Sequence, residues 1–136
     1  MAKLGHLIGT KFVNMGRDKH IGLDCWGLVM EVYKQYGIQL PDFTLDSFAF
    51  QAIDALAGKA VTEREWEEVY YPEDKDAPLV VLMRMHPQYI THAGVFLGGN
   101  RIIHTTKSTN AVFTRLDAIK SRIAGYYRYV DNHKHT

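Results

Sequence analysis

The hydrophobic rhythm of the chain changes near its midpoint. In the first half, apolar side chains recur at helical intervals: Trp26, Val29, Val32, Tyr33 and Tyr36 share one stripe. Asp24 just ahead is a good N-cap, Gly37 just behind is a good left-handed stop, and Pro41 follows. The spacing predicts a helix over 25–36. A short helix is expected over 2–8, a glycine-containing loop over 10–23, and a further helix from Phe43 to Leu56, capped by Asp46 and ending near Gly58.

The second half reads in short runs instead. "WEEVYY", "APLVVLMRM", "ITHAGVFLG", "RIIHTT", "AVFTRL" and "AGYYRYV" are rich in β-branched and aromatic residues and are separated by turn signals. Gly98 to Asn100 is the clearest hairpin, and 116–122 reads as a helical turn. Helices followed by a mostly antiparallel sheet define an α+β fold. At 136 residues the chain suits one domain over 1–136, with a polar tail at about 131–136.

Composition narrows the functional classes. Sixteen basic residues face fifteen acidic ones without a long run of either sign, so nucleic acid is not an expected partner. No apolar segment approaches the roughly eighteen residues of a membrane span, and "MAKLGHLIGTKF" lacks the apolar run of a signal peptide. The single cysteine excludes an internal disulfide and fits synthesis in a reducing compartment.

That cysteine, Cys25, is the first candidate for chemistry. With Asp24 as N-cap it falls at the first helical position, where unpaired amides and the helix dipole favour a thiolate over the ordinary thiol of pKa ~8.5. The same amides could hold an oxyanion. Small neighbours at Gly22 and Gly27 leave room for a substrate. A lone cysteine is also commonly a small buried hydrophobe, and Trp26 beside it suits the core as well as a cleft wall.

Of the seven histidines, His6 and His20 sit in helix and loop, His86 precedes Pro87 in a turn, and His133 and His135 lie in the polar tail. His92 and His104 stand apart. Strand alternation puts Ala93, Val95 and Leu97 on one face and His92, Gly94 and Phe96 on the other, with Gly94 offering a cavity beside an imidazole. A three-residue loop at 98–100, or an equivalent bulge, would pair Leu97 with Arg101 and set His104 opposite Gly94, on the face of His92. A two-residue loop would turn His104 away. The first register lines up thiol, imidazole and orienting group. Two alternatives stay open: half-buried sheet histidines with ordinary hydrogen bonds, or a metal held by Cys25, His92, His104 and His86 or water. The spacing is not that of a structural zinc site, and no HExxH is present.

Two stretches carry a resemblance. "LIGTKFVNMGRDKHIGLDCWGLVMEVYKQYGIQLPD" resembles the N-terminal half of the NlpC-type cell-wall cysteine peptidases: a glycine-rich loop with an aromatic residue, an Asp-Cys-small-Gly-aliphatic helix start, and a close on Gly-Ile-x-Leu-Pro. "THAGVFLGGNRIIHTT" resembles their second half, with a histidine on a strand and a second polar residue about a dozen positions on. The tryptophan after the cysteine resembles the branch found in bacteriophage tail proteins and prophages.

The resemblance implies a papain-like α+β fold and hydrolysis of peptidoglycan stem peptides, next to D-glutamate or diaminopimelate. It implies Cys25 as nucleophile, His92 as base and His104 as the group orienting His92, with no cofactor and no metal. Phe12, Asp24 and Trp26 are the candidates for the oxyanion site or substrate cleft. Phe12 stands where the family carries a tyrosine, and its ring has no hydroxyl to donate. Ala77-Pro78 stands where the family carries Gly-Asp. Arg17, Arg84 and Lys107 are candidates to meet substrate carboxylates.

The functional expectation is therefore a thiol endopeptidase made in the bacterial cytoplasm, carried on a phage tail and acting at the host wall, with other tail proteins as partners. The rivals are a tail assembly protein that keeps the fold without the chemistry, and amide hydrolysis of another γ-glutamyl substrate by the same residues.

Overall fold

Helix α1 (Cys25–Gln35) begins and ends on the signals written in its sequence. The Asp24 side chain accepts from the Gly27 amide at the N-terminus. At the other end Gly37 takes a left-handed φ of 80°, and Ile38 N–H reaches back to the Tyr33 carbonyl while Gly37 N–H reaches Lys34. These paired bonds satisfy carbonyls that the helix leaves open. The computed structural model describes residues 3–40, 66–84 and 92–130. The helix expected from Phe43 to Leu56 lies outside them.

Two short strands precede α1, β1 (Arg17–Asp18) and β2 (Gly22–Leu23), pairing as an antiparallel ribbon inside the expected loop. After α1 come β3 (Trp66–Glu68), β4 (Leu79–Met83), β5 (His92–Gly98), β6 (Arg101–Thr106) and β7 (Asn110–Arg115). A short helix α2 (Leu116–Ile119) and a 3-10 turn (Lys120–Arg122) lead into β8 (Ile123–Tyr129). Strands β3 to β8 form one antiparallel sheet in the order β3-β8-β4-β5-β6-β7. The last strand thus lies inside the sheet, between β3 and β4. Its pairings join residues 40 to 63 positions apart, which local pattern does not encode.

The helix expected over 2–8 is only a 3-10 turn, Gly5–Leu7. Gly9 takes a left-handed φ of 84° and donates to the Ala111 carbonyl, while Ala111 donates to Thr10. The chain is thereby drawn alongside the start of β7 before a helix can lengthen.

The two faces of the sheet bury separate apolar clusters. On one, the α1 stripe of Trp26, Val29, Val32 and Tyr33 meets Val80, Leu82, Ala93, Val95 and Ile103. Burying each such side chain contributes about 1.5–3 kcal/mol. Trp66 from β3 joins this side, edge-on to Trp26 at 6.0 Å and to Tyr129 at 5.2 Å. On the other face Leu79, Val81, Met83, Phe96 and Ile102 pack together, with Leu116 and Ile119 of α2 and Tyr126 of β8 against them. Both faces are covered, so β4 is buried along its whole length.

The β5–β6 turn combines the two geometries weighed from sequence. It is a two-residue turn at Gly99 and Asn100, both at positive φ (60° and 61°), the pattern of a type I′ hairpin. Gly98, not Leu97, pairs with Arg101. A register shift between Phe96 and Gly98 absorbs the extra residue, so Phe96 stays opposite Ile102 and Val95 opposite Ile103. That register carries His104 to the position opposite Gly94.

Candidate active site

Cys25 is held by what surrounds Asp24. The Asp24 carboxylate is fully buried, and its Oδ1 accepts both from Gly27 N–H at 2.7 Å and from Arg17 Nη1 at 2.6 Å. Burial raises its pKa above the ordinary value, while the Gly27 amide and the Arg17 guanidinium pull the other way. Arg17 also donates to the Gly16 carbonyl. This cation, a candidate for substrate carboxylates on sequence grounds, is engaged with the helix cap. Of the other two such candidates, Arg84 and Lys107 are both exposed.

The Cys25 side chain is nearly enclosed, with 3% of its surface exposed. Burial pushes its thiol up to about 12, and the Asp24 charge adds to the rise. The backbone amides of Ala93 and Trp26, with Arg17, oppose it. The thiolate favoured by a helix N-terminus is therefore outweighed in this conformation by loss of water around the sulfur.

His92 opens β5 and His104 lies on β6, both buried. His92 Nε2 and His104 Nδ1 are 2.9 Å apart, and His104 Nε2 is 2.8 Å from Thr114 Oγ1 on β7. The imidazole rings meet edge to face, 5.1 Å between centroids. Burial, and secondarily His104, lowers the His92 pKa to about 3; burial also lowers that of His104. Both shifts favour the neutral form of the rings.

Gly94 makes the pair possible in a different way from that expected. A Cβ there would stand 2.8 Å from the Ile103 carbonyl oxygen and 3.0 Å from His104 Cβ. The glycine opens no cavity; it lets β6 and the His104 side chain lie close. Gly27 and Gly22 similarly serve close approach rather than substrate room. A Cβ on Gly27 would collide with the Gly16 carbonyl, and one on Gly22 with Val13.

Of Cys25, His92 and His104, the two histidines meet directly, imidazole to imidazole. Cys25 meets the same strand one residue on, through the Ala93 amide. By alternation both histidines occupy the sheet face turned away from the apolar stripe of α1, so thiol and strand meet at the first residues of β5.

The three cleft candidates lie in the core, at the helix cap and beside β2. Trp26 is a core residue, 4% exposed. Asp24 caps α1 under Arg17. Phe12 is half-buried, bridges to Leu23, and spends its backbone N–H on Asn110 Oδ1 at 3.1 Å. Among the described residues no group of three or more His, Cys, Asp or Glu side chains is arranged to hold a metal, and His86 lies outside them. Thr114 and the anchoring role of Arg17 went unnoticed in the sequence. The signal for Thr114 was available: once β6 and β7 pair, it is the diagonal neighbour of His104 on the same face.

A helix presenting a cysteine at its first position to an antiparallel sheet bearing paired histidines defines a papain-like α+β protein. Solved structures share this fold. One is a protein from Staphylococcus aureus subsp. aureus Mu50 described as similar to lipoprotein, NLP/P60 family (TM-score 0.60, 21% identity, 93% of this chain and 39% of that one). Another is the NlpC/p60 domain of the peptidoglycan hydrolase SagA (TM-score 0.56, 20% identity, 92% and 91%).

The chain belongs to the NlpC/P60 family, whose profile matches residues 9–128. Among curated proteins it is similar to the gamma-DL-glutamyl hydrolase of Bacillus subtilis (strain 168), 28% identical over 128 residues, covering 90% of this chain and 27% of that protein. It is also similar to tail tip assembly protein K of Escherichia phage N15, 27% identical over 92 residues, covering 60% and 34%. The chain spans about a quarter to a third of the length of these curated relatives. Among the described residues no helix is long and apolar enough to cross a membrane.

Proposed function

We propose that this chain is a cysteine endopeptidase that cleaves peptide bonds of peptidoglycan stems at a γ-glutamyl linkage, and that it acts at the host wall as part of a phage tail. Cys25 is the nucleophile, His92 the base and later the acid, and His104 the group that orients His92. The observation that carries this reading is the 2.9 Å bond between His92 Nε2 and His104 Nδ1. With Nε2–H of His92 donated to His104, the lone pair on His92 Nδ1 is left to take a proton.

The Cys25 sulfur attacks the stem-peptide carbonyl as its proton passes to His92. His92 then delivers that proton to the departing amine, leaving a thioester. Water, deprotonated by His92, attacks the thioester; the carboxylate product leaves and the thiol regains its proton. The buried thiol and imidazole are neutral at rest, so charge appears only as the tetrahedral oxyanion forms. The Cys25 amide at the helix N-terminus is available to stabilise it. The γ-glutamyl assignment is supported by the resemblance in sequence and by the name of the Bacillus subtilis relative. The tail assignment is supported by the N15 relative.

Incubation with purified peptidoglycan tests the reading through the release of new amino termini. Cys25→Ala and His92→Ala are expected to release none above background. His104→Ala is expected to lose less, and His104→Asn less again. Full activity in Cys25→Ala refutes the mechanism. Phe12 in place of the family tyrosine, together with the N15 relative, favours a second reading in which the chain serves tail assembly without hydrolysis. In that case the wild type releases no amino termini while tails built without the chain fail to form.

A further inference from the structure

The histidine pair does not end at His104. Its Nε2 lies 2.8 Å from Thr114 Oγ1, on the strand that forms the sheet's edge. The placement is set by register: His104 pairs with Val112 and Ile102 with Thr114, so Thr114 is the diagonal neighbour of His104 on the histidine face. Each neutral imidazole carries one N–H and one lone pair, which makes the row His92–His104–Thr114 directional. In one arrangement His92 Nε2–H donates to His104 Nδ1, and His104 Nε2–H donates to Thr114 Oγ1. In the reverse arrangement the hydroxyl donates to His104, His104 donates to His92, and the His92 proton sits on Nδ1. Only the first leaves His92 a basic Nδ1.

We infer that Thr114 is a positioning residue, a hydroxyl acceptor that fixes His104 in its Nε2–H tautomer and through it keeps the His92 Nδ1 lone pair free. The inference rests on the reading of His92 as the base. A hydroxyl suits this post because it accepts without carrying charge beside two buried neutral rings. It also accounts for a polar side chain at this point on a strand that flanks His104.

Valine replaces threonine with the same shape and strand preference, so Thr114→Val removes the acceptor without reshaping β7. On peptidoglycan fragments, Thr114→Val should lower kcat roughly five- to tenfold, as expected for one hydrogen bond to the orienting group, with KM unchanged. Thr114→Ser should restore most of the rate. Nitrogen-15 NMR reads the tautomers without any turnover: His92 and His104 should each carry the proton on Nε2 in the native chain, and Thr114→Val should give mixed tautomers. Unchanged kcat with unchanged tautomers in Thr114→Val, from a wild type that cleaves, overturns the inference alone. A wild type that cleaves nothing, yet whose tautomers respond to Thr114→Val and recover in Thr114→Ser, keeps the positioning contact and sinks the hydrolase reading. A native His104 protonated on Nδ1 overturns the inference whatever the activity.

Discussion

Replacing Arg17 by methionine probes the platform beneath Cys25. Methionine keeps much of the apolar stem and removes the cation that lies 2.6 Å from the buried Asp24 carboxylate. Stripping one partner from a fully buried pair typically costs 3–5 kcal/mol. Arg17 is itself 24% exposed, so water already screens part of the pair, and the expected loss is about 2 kcal/mol. For a chain of this size that corresponds to a fall of about 6 °C in Tm. Urea unfolding followed by Trp26 and Trp66, both buried in the core, measures it.

The pH dependence supplies the sharper test. The Asp24 carboxyl has a folded pKa above its ordinary value of 3.8. Its contribution to stability is therefore fully present below about pH 3.8 and is lost as pH rises through the folded value. Removing Arg17 raises the folded value further. The deficit of Arg17→Met should be largest near pH 7, where Asp24 must be ionised without its cation, and should shrink toward pH 4. The histidines act oppositely: with folded values below 6.5, their contribution is present above about pH 6.5 and is lost as pH falls. They titrate alike in both proteins, so the difference between variant and wild type isolates Asp24. Asp24→Asn keeps an oxygen to cap Gly27 and removes the charge; combined with Arg17→Met it should recover part of the loss, with a coupling of about 1 kcal/mol. A deficit of equal size at pH 7 and pH 4, or zero coupling, would refute the argument.

Three further outcomes are expected. Gly94→Ala should destabilise the fold by about 1–3 kcal/mol, because the new methyl meets the Ile103 carbonyl at 2.8 Å and His104 Cβ at 3.0 Å, and peptidoglycan cleavage should fall with it; urea unfolding and the amino-terminus assay check both. Alkylation of Cys25 by iodoacetamide should be slow at pH 7 and climb with pH through the alkaline range, since burial pushes the thiol up to about 12; a fast rate that is flat from neutrality upward would reveal a preformed thiolate. Tyr33→Phe should cost about 1 kcal/mol in thermal unfolding, because the buried hydroxyl donates to the Pro78 carbonyl at 3.1 Å.

Legibility in the sequence followed the range of the interactions. Helix α1 was readable because Asp24, its apolar stripe and Gly37 act within a few residues of one another. The register of the histidine hairpin was readable for the same reason, although the turn reached it by a bulge. The position of β8 was not, since pairing Tyr127 with Val80 and Glu68 depends on contacts between distant segments. Glycines misled in a consistent way. At Gly22, Gly27 and Gly94 the absent side chain is filled by neighbouring protein atoms, and space for a ligand cannot be distinguished from space for a backbone by residue type alone. The cysteine misled through electrostatics: the amides of the helix were visible in the pattern, and the depth of burial that overrides them was not.

The interior place of β8 has a consequence for how the protein is made. A ribosome delivers β3 and β4 long before Ile123–Tyr129, the strand that joins them, has emerged. Until then β4 offers an open ladder edge along five apolar residues, Leu79–Met83, ready to adhere to any extended chain nearby. A translation product that stops before Ile123 is accordingly expected to seed aggregation.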